Sequence, residues 1–192
     1  MNSLRLFAAI SLSPEILNKL QAVLDQAASI PSGVRWAEPV NLHLTLKFFG
    51  EMSEEQLPLI TDLLAKTAAR HAPFPLDLAG FEGFPNSRNP KVLFVPVRLG
   101  QEKVKVLAED MEKASSVFGF PSEKKSFHAH LTLGRVKTEK NLTEVWEQLT
   151  RLCHESFGNF EAASFSLYQS RLTGDGPVYN RLREFTLTGP KL

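Results

Sequence analysis

Hydrophobic residues along this chain follow two spacings, one typical of strands and one typical of helices. The run 4–12 is dense in apolar, strand-compatible residues and ends before Ser13 and Pro14, which can cap a helix and occupy its first turn. Apolar residues then recur at helical spacing, at Leu17, Leu20, Leu24 and Ala27. The pattern predicts that the protein opens with a strand followed by a helix.

A second strand is predicted around 42–49, where it is closed by Gly50. Ser53 and Gln56 have the spacing of a capping box ahead of the next helical stripe, so a helix is expected to begin here. Pro58 would lose a backbone hydrogen bond unless it lies in the first turn, which places the cap a residue or two later.

Two strand-like runs, 74–84 and 91–99, are joined by the turn-rich segment "PNSRNP" and predict a hairpin. Pro96 favours an edge position there, because proline lacks the backbone N–H that a central strand donates. A third helix is predicted next from an apolar stripe at Val104, Leu107, Met111, Ala114 and Phe118.

The second half of the chain repeats this order of elements. A strand is predicted at about 128–136 and a helix near 142–156. The runs "FEAASFSLYQSRL" and "VYNRLREFTL", separated by "TGDGP", predict a closing hairpin. Strands and helices thus fall into two similar sets, and no long linker or low-complexity segment separates them.

Composition limits the classes of partner and compartment. Of the 192 residues 43% are hydrophobic, which is ample for one compact unit. Lys and Arg total 22 against 21 Asp and Glu, so the net charge of +1 predicts no strong long-range attraction to polyanions, and any nucleic-acid contact must be local. The single cysteine, Cys153, excludes an internal disulfide and a cysteine-based zinc site, and it fits a reducing compartment.

The opening apolar run is too short for a signal peptide or a membrane span, so a cytoplasmic location without a membrane partner is expected. Neither GxxxxGK[ST] nor GxGxxG occurs, and no His, Cys and Asp cluster has a familiar metal spacing. We therefore expect no nucleotide cofactor and no catalytic metal.

The tetrapeptide HLTL occurs at 43–46 and again at 130–133. Side chains alternate faces along a strand, so His43 and Thr45 point one way and the leucines the other, and the same holds for the second copy. One such motif is more often a half-buried histidine with its hydrogen bonds satisfied. The repetition favours function, because a pseudo-two-fold axis would bring both polar faces to one cleft.

Two facing imidazoles suit the opening of a ribose 2′,3′-cyclic phosphate. The reaction needs a base to deprotonate the attacking water and an acid to protonate the departing ribose oxygen. Near neutral pH one imidazole can be neutral while its neighbour is protonated, and their repulsion helps separate the two titrations. Threonine hydroxyls on the same face can donate hydrogen bonds to the non-bridging phosphate oxygens.

The segments "RLFAAISL", "LHLTLKFFGE", "HAHLTLGR" and "LYQSRLTGDGPVY" together resemble the two-histidine phosphoesterase superfamily, with its paired HxTx motifs. Within it the chain is most similar to bacterial and archaeal RNA 2′,3′-cyclic phosphodiesterases, also called 2′-5′ RNA ligases. The resemblance spans nearly the whole chain.

The resemblance implies an α+β, two-lobed, pseudo-symmetric fold. Each lobe is expected to be an antiparallel-rich sheet with helices packed on its outer face, and the HxT strands are expected to face a central cleft. Residues 1–192 would then form a single domain with two HxT half-repeats that are not independent domains.

The resemblance also implies a catalytic set, namely His43, Thr45, His130 and Thr132. Hydrolysis would cut the bond from phosphorus to the 3′ oxygen and leave a 2′-phosphate, with His43 assigned as the acid and His130 as the base. The same site run towards synthesis would join a cyclic phosphate end to a 5′-hydroxyl end in a 2′-5′ linkage without ATP.

Two further residues are assigned to substrate binding by the resemblance. Arg135 lies three residues beyond the second threonine and is expected to hold phosphate, against the alternative of an ordinary surface ion pair. Phe48 is the expected platform for a base, although strict alternation from His43 would place Phe49 on that face and Phe48 in the core. An irregular strand end near Gly50 would reconcile the two.

The expected partner is RNA with 2′,3′-cyclic phosphate ends, tRNA fragments among the candidates, bound by a monomer. Two alternatives stay open: a small cyclic nucleotide such as ADP-ribose 1″,2″-cyclic phosphate as substrate, or a noncatalytic module that binds RNA ends. Eight basic residues in predicted loops and hairpins are candidates for a cleft rim: Arg88, Lys91, Arg98, Lys124, Lys125, Arg171, Arg181 and Arg183. His71, His128, His154 and Cys153 are expected to be structural.

Overall fold

The computed structural model describes residues 3–123, 126–174 and 176–190. Its strands are β1 Ser3–Ser11, β2 Val34–Trp36, β3 His43–Ser53, β4 Phe74–Ala79, β5 Glu82–Phe84, β6 Val92–Leu99, β7 His130–Val136, β8 Ser156–Ala162, β9 Ser164–Leu172 and β10 Pro177–Thr186. Its α-helices are α1 Pro14–Ala28, α2 Leu57–Ala68, α3 Gln101–Val117 and α4 Leu142–Leu152. No helix in these ranges is long and apolar enough to cross a membrane.

The strands form two antiparallel sheets, one for each lobe. The first has the order β10-β9-β1-β3, and the second has the order β2-β7-β6-β4-β8 with β5 also pairing with β6. Within the described ranges the strand pairs are all antiparallel. The predicted α+β class and the two-lobed arrangement are confirmed.

Each sheet is covered by a helix that follows a strand of the other sheet. Helix α1 follows β1 of the first sheet but packs against α4 and β8 of the second, whereas α3 follows β6 of the second sheet but packs against α2 and β3 of the first. Buried residues from both sheets and all four helices join in one hydrophobic core. The two lobes therefore depend on each other for burial of their apolar faces.

Both predicted helix starts are present. The Ser13 hydroxyl accepts a hydrogen bond from the backbone N–H of Ile16 at 3.4 Å, and Pro14 occupies the first turn of α1. Gln56 accepts from the backbone N–H of Ser53 at 2.9 Å, as in a capping box. A short 3₁₀ turn separates this cap from α2, so Pro58 falls in the first turn of the helix.

The expectation that Pro96 lies on an edge strand is wrong, because β6 has neighbours on both sides. Pro96 lies opposite His130 of β7. On the other side, β5 pairs only with residues 92–94 and β4 only with residues 97 and 99. The missing N–H falls at the gap between β5 and β4, which is why a central strand tolerates it.

The run "FEAASFSLYQSRL" is not one strand, as the sequence suggested. It divides at Ala163 into the end of β8, which pairs with β4 in the second sheet, and β9, which pairs with β1 and β10 in the first. The predicted hairpin is therefore confirmed for β9 and β10 only. Apolar content alone does not show where a chain passes from one sheet to another.

A buried ion pair joins β3 to α3. The Lys47 side chain is fully buried, and its Nζ lies 2.7 Å from Oε2 of Glu112 and donates to the carbonyl of Pro121 at 3.0 Å. The other Glu112 oxygen accepts from the backbone N–H of Glu123 at 3.1 Å. This network fixes the chain that leaves α3 against the strand that carries the first HLTL motif.

Replacement of Glu112 should destabilise the protein far more than replacement of a surface carboxylate. Glu112→Ala leaves Lys47 as a buried charge without its partner, and we expect the free energy of unfolding to fall by about 3 kcal/mol, measured by urea denaturation. Glu102→Ala is the matched control, since Glu102 lies 3.9 Å from Lys105 in an exposed pair of α3 and should cost less than about 1 kcal/mol. Equal losses for the two variants would contradict this role.

Candidate active site

The two HLTL strands meet although they belong to different sheets, because β3 and β7 contact each other. Their polar side chains His43, Thr45, His130 and Thr132 line one cavity of about 340 Å³. All four leucines of the two tetrapeptides are buried in the core. The structure thus brings the four predicted catalytic residues together.

A β-bulge interrupts β3 at the last leucine of its HLTL motif. Thr45 and Lys47 lie opposite consecutive residues of β1, which leaves Leu46 without a partner. Such a bulge reverses the alternation of faces beyond it. Phe48 therefore lines the cavity with 49% of its surface exposed, whereas Phe49 is buried. Strict alternation would place Phe49 in the cavity. The change of face occurs at Leu46, and a second register shift lies at Phe49, beside Gly50, where an irregularity was expected.

The second motif carries a bulge at the equivalent position. Thr132 and Gly134 lie opposite consecutive residues of β6, and Leu133 has no partner there. The reversal of faces places Arg135 in the cavity. Phe48 and Arg135 are each the third residue after the threonine of their motif, so the two lobes use the same device to present different side chains.

Both catalytic candidates among the histidines have the same tautomer. Nδ1 of His43 lies 2.6 Å from the carbonyl oxygen of Asn41, and Nδ1 of His130 lies 2.8 Å from that of His128. A carbonyl oxygen only accepts, so each Nδ1 carries a proton and donates. Nε2 is then the atom with the free lone pair in the neutral ring.

Aromatic rings surround each imidazole. The ring centroid of His43 lies 4.9 Å from that of Phe7 and 5.3 Å from that of Tyr179, which meets it edge-on. His130 has edge-on contacts with Phe84 at 5.2 Å and Phe94 at 5.3 Å. These contacts restrict rotation of the rings and keep water from their faces.

The environment favours the neutral form of both imidazoles. Burial lowers the pKa of His43 below 6.5, the hydrogen bond to Asn41 opposes the shift, and the charge of His130 adds to it. Burial likewise lowers the pKa of His130 below 6.5, with opposition from the hydrogen bond to His128 and additional lowering from Arg135 and His128. A bound phosphate anion acts in the other direction, because negative charge stabilises imidazolium.

Several cavity residues were not identified from the sequence, chief among them Arg35, Trp36, Lys137 and Tyr179. Arg35 and Trp36 lie on β2, whose three residues are too few to give a periodic signal. Gly134 allows β2 to approach, since a Cβ there would lie 2.7 Å from a methyl of Val34. Tyr179 is brought in by β10, and burial raises the pKa of its phenol while Arg135 and Arg5 act against this shift.

The cations that line the cavity are not the basic residues predicted for its rim. Arg98 contacts Glu82 and Arg181 contacts Glu184, both outside the cavity lining. The other described candidates do not line the cavity either: Arg88, Lys91, Arg171 and Arg183. Lys124 and Lys125 lie outside the described residues.

The remaining histidines and the cysteine have contacts of their own. Nε2 of His71 lies 2.9 Å from the Asp110 carboxylate, and Nδ1 of His154 donates to the carbonyl of Arg151 at 2.7 Å. Exposed His128 precedes β7, and its Nδ1 donates to the carbonyl of Ser126 at 3.0 Å. Cys153 is buried, which raises the pKa of its thiol to about 12, so it is unsuited to act as a thiolate.

Comparison with known proteins finds phosphoesterases that match nearly the whole length of the chain. The sequence model of the LigT-like phosphoesterase family matches residues 10–94 and again residues 95–179. An RNA 2′,3′-cyclic phosphodiesterase of Archaeoglobus fulgidus is 38% identical over 182 residues, which cover 95% of this chain and 99% of that protein.

Two solved structures share the fold. A crystal structure of a Thermus thermophilus protein superimposes with a TM-score of 0.81 at 32% identity, covering 97% of this chain and 100% of that one. Escherichia coli LigT, solved in complex with 3′-AMP, superimposes with a TM-score of 0.75 at 25% identity, covering 97% and 99%.

Two antiparallel sheets with a His-x-Thr strand from each on a common cavity define a phosphoesterase of the two-histidine class. The chain belongs to the LigT-like phosphoesterase family. The resemblance inferred from the repeated HLTL motif is confirmed.

The electrostatic coupling between the two histidines can be measured directly. His130→Gln removes a positive charge near His43 and retains a polar side chain of similar size, so we expect the pKa of His43 to rise from its lowered value towards 6.5. A pH titration followed by NMR of the imidazole nitrogens measures it. His154→Gln, an exposed position outside the cavity lining, is the control and should leave the pKa of His43 unchanged. An unchanged or lower pKa in His130→Gln would show that the rings are not coupled.

Proposed function

We propose that this phosphoesterase hydrolyses RNA 2′,3′-cyclic phosphate ends to 2′-phosphates by paired histidine acid–base catalysis. The observation that carries the proposal is the pair of imidazoles on one cavity, each with Nδ1 donating to a backbone carbonyl and each beside a threonine. The name of the Archaeoglobus fulgidus relative, RNA 2′,3′-cyclic phosphodiesterase, supports the choice of substrate.

In the proposed reaction Nε2 of His130 takes a proton from water, and the water oxygen forms a bond to phosphorus. The bond between phosphorus and the 3′ oxygen breaks, and His43 gives its Nε2 proton to that oxygen. The products are a 2′-phosphate monoester and a 3′-hydroxyl. The lowered pKa of His130 suits a base that must be neutral before it acts, and the bound phosphate anion supports the protonated form of His43.

The charge that develops on the phosphate needs donors around the non-bridging oxygens. The hydroxyls of Thr45 and Thr132 lie on the same cavity and would donate to these oxygens, and the Arg135 guanidinium would pair with them. Because the imidazoles supply both proton transfers and these groups supply the charge stabilisation, the proposed reaction requires no metal and no ATP.

The same site would also carry out ligation, with a different nucleophile in the same displacement. A 5′-hydroxyl of a second RNA end would take the place of water and attack the cyclic phosphate, with the 3′ oxygen leaving, to give a 2′-5′ linkage.

We assign the activity to residues 1–192 as a single unit with two half-repeats. The two family matches support this assignment, as do helices α1 and α3, each of which packs in the lobe opposite to the strand that it follows. We also propose that the protein acts as a monomer in the cytoplasm, and that its substrates include the ends of tRNA fragments.

The first test is a short RNA with a 2′,3′-cyclic phosphate end, incubated with the protein in chelator and without ATP. We expect conversion to the 2′-phosphate with a bell-shaped dependence on pH. His43→Gln and His130→Gln should each lower the rate by about 10²-fold or more, since each removes one proton transfer.

His154→Gln is the matched control for this test and should retain the parent rate. A 3′-phosphate product, loss of activity in chelator, or full activity in either cavity variant would contradict the proposed mechanism. Hydrolysis of ADP-ribose 1″,2″-cyclic phosphate without hydrolysis of RNA would indicate a small cyclic nucleotide as the substrate.

A second test concerns Phe48 as a platform for the terminal base. Stacking on an aromatic side chain contributes about 1–3 kcal/mol per base, so Phe48→Ala should raise KM roughly tenfold with a smaller effect on kcat. Phe118→Ala is a matched control, because Phe118 is also 49% exposed but does not line the cavity. A fall in kcat at unchanged KM would assign Phe48 to the chemical step instead.

A further inference from the structure

Three cations lie on the wall of the cavity contributed by the second sheet: Arg35, Arg135 and Lys137. Glu38 is the one carboxylate among the lining residues that the structure describes. The whole chain has a net charge of only +1. The cavity is therefore a local concentration of positive charge on a nearly neutral protein, which favours an anionic ligand.

The arrangement of two of these cations opposes folding stability. Arg35 of β2 and Arg135 of β7 are directly opposite each other in the strand register, and like charges at such positions repel. Within the ranges that the structure describes, neither arginine nor Lys137 has a salt-bridge partner. A bound anion would turn this repulsion into attraction.

Arg135 and Arg35 lie near different groups of the cavity. Arg135 lies on β7 with His130 and Thr132 and lines the same cavity as they do. The Arg35 guanidinium reaches across to Gly176, just before β10, where its Nη2 would lie 3.4 Å from an added Cβ. The start of β10 is held at the cavity by a 2.8 Å hydrogen bond from Nδ2 of Asn41 to the carbonyl of Pro177.

We propose that Arg35 and Lys137 bind a second phosphate, the one attached to the 5′ oxygen of the terminal nucleotide, while Arg135 holds the reacting cyclic phosphate. In RNA this second phosphate is the phosphodiester that joins the last two nucleotides. The inference rests on the proposed function and extends it to a substrate class: nucleotides with a 5′-phosphoryl group are preferred over cyclic mononucleotides with a free 5′-hydroxyl.

The test compares three substrates with the same base. They are the nucleoside 2′,3′-cyclic phosphate, the same compound with a 5′-phosphate, and a dinucleotide with a 2′,3′-cyclic end. We expect kcat/KM to be at least tenfold higher for the second and third than for the first, and the preference to shrink as salt increases. If the advantage came from stacking of a second base on Trp36 instead, the 5′-phosphorylated mononucleotide would behave like the first substrate and the proposal would be overturned.

Variants of the cationic residues test which of them bind the 5′-phosphate. Arg35→Gln and Lys137→Gln should each reduce the preference for the 5′-phosphorylated substrates several-fold, whereas Arg151→Gln, on α4 and hydrogen-bonded to Gln148, should retain it. Equal losses on all three substrates in Arg35→Gln would place the residue in general phosphate binding and refute the inference.

A binding measurement separates this inference from the proposed function. Calorimetric titration with a nucleoside 3′-phosphate and a nucleoside 3′,5′-bisphosphate needs no turnover. We expect the bisphosphate to bind at least tenfold more tightly to the parent and to lose most of that advantage in Arg35→Gln. Absence of hydrolysis with this binding pattern intact would refute the proposed reaction alone, and equal binding of the two ligands by the parent would refute the second phosphate site alone.

Discussion

The site depends on one irregularity of the backbone, the β-bulge at the last leucine of each HLTL motif. A regular strand would place every second residue in the cavity, so a strand with histidine and threonine on one face would turn the third residue after the threonine into the core. The bulge reverses the faces, so Phe48 and Arg135 reach the cavity that already holds the histidines. The reversal is visible in the burial pattern of β3, where the consecutive residues Leu46 and Lys47 are both buried.

The two lobes place their imidazoles in the same way but surround them with different side chains. Both rings use the same backbone contact, a carbonyl two residues earlier, so in both lobes Nε2 is the ring nitrogen that this contact leaves free. At the next equivalent position one lobe supplies the aromatic ring of Phe48 and the other the charge of Arg135. The two imidazoles thus share one cavity with an aromatic side chain from one lobe and a guanidinium from the other, a combination that suits a nucleotide with a base at one end and phosphates at the other.

Much of this arrangement was predictable from the sequence. The alternation of leucine with His43 and Thr45, and of leucine with His130 and Thr132, placed the polar faces correctly, and the caps at Ser13 and Ser53 marked two helix starts. These features are local, because each depends on residues within one turn or one strand. Arg135 and Phe48 came from the family resemblance, since alternation alone gave the wrong face.

What the sequence did not reveal depends on contacts between distant segments. The bulges follow from pairing with β1 and β6, and the central position of Pro96 depends on a gap between two neighbouring strands. Strand β2 is too short to give a pattern, so Arg35 was missed, and the division at Ala163 is set by which sheet each half joins. In the proposed reaction the two imidazoles approach one phosphorus from opposite sides through Nε2. A crystal structure with a nucleoside 2′,3′-cyclic vanadate tests it most directly: we predict that Nε2 of His43 contacts the oxygen in the leaving position and Nε2 of His130 the oxygen in the attacking position, and contact by only one histidine, or through Nδ1, would contradict it.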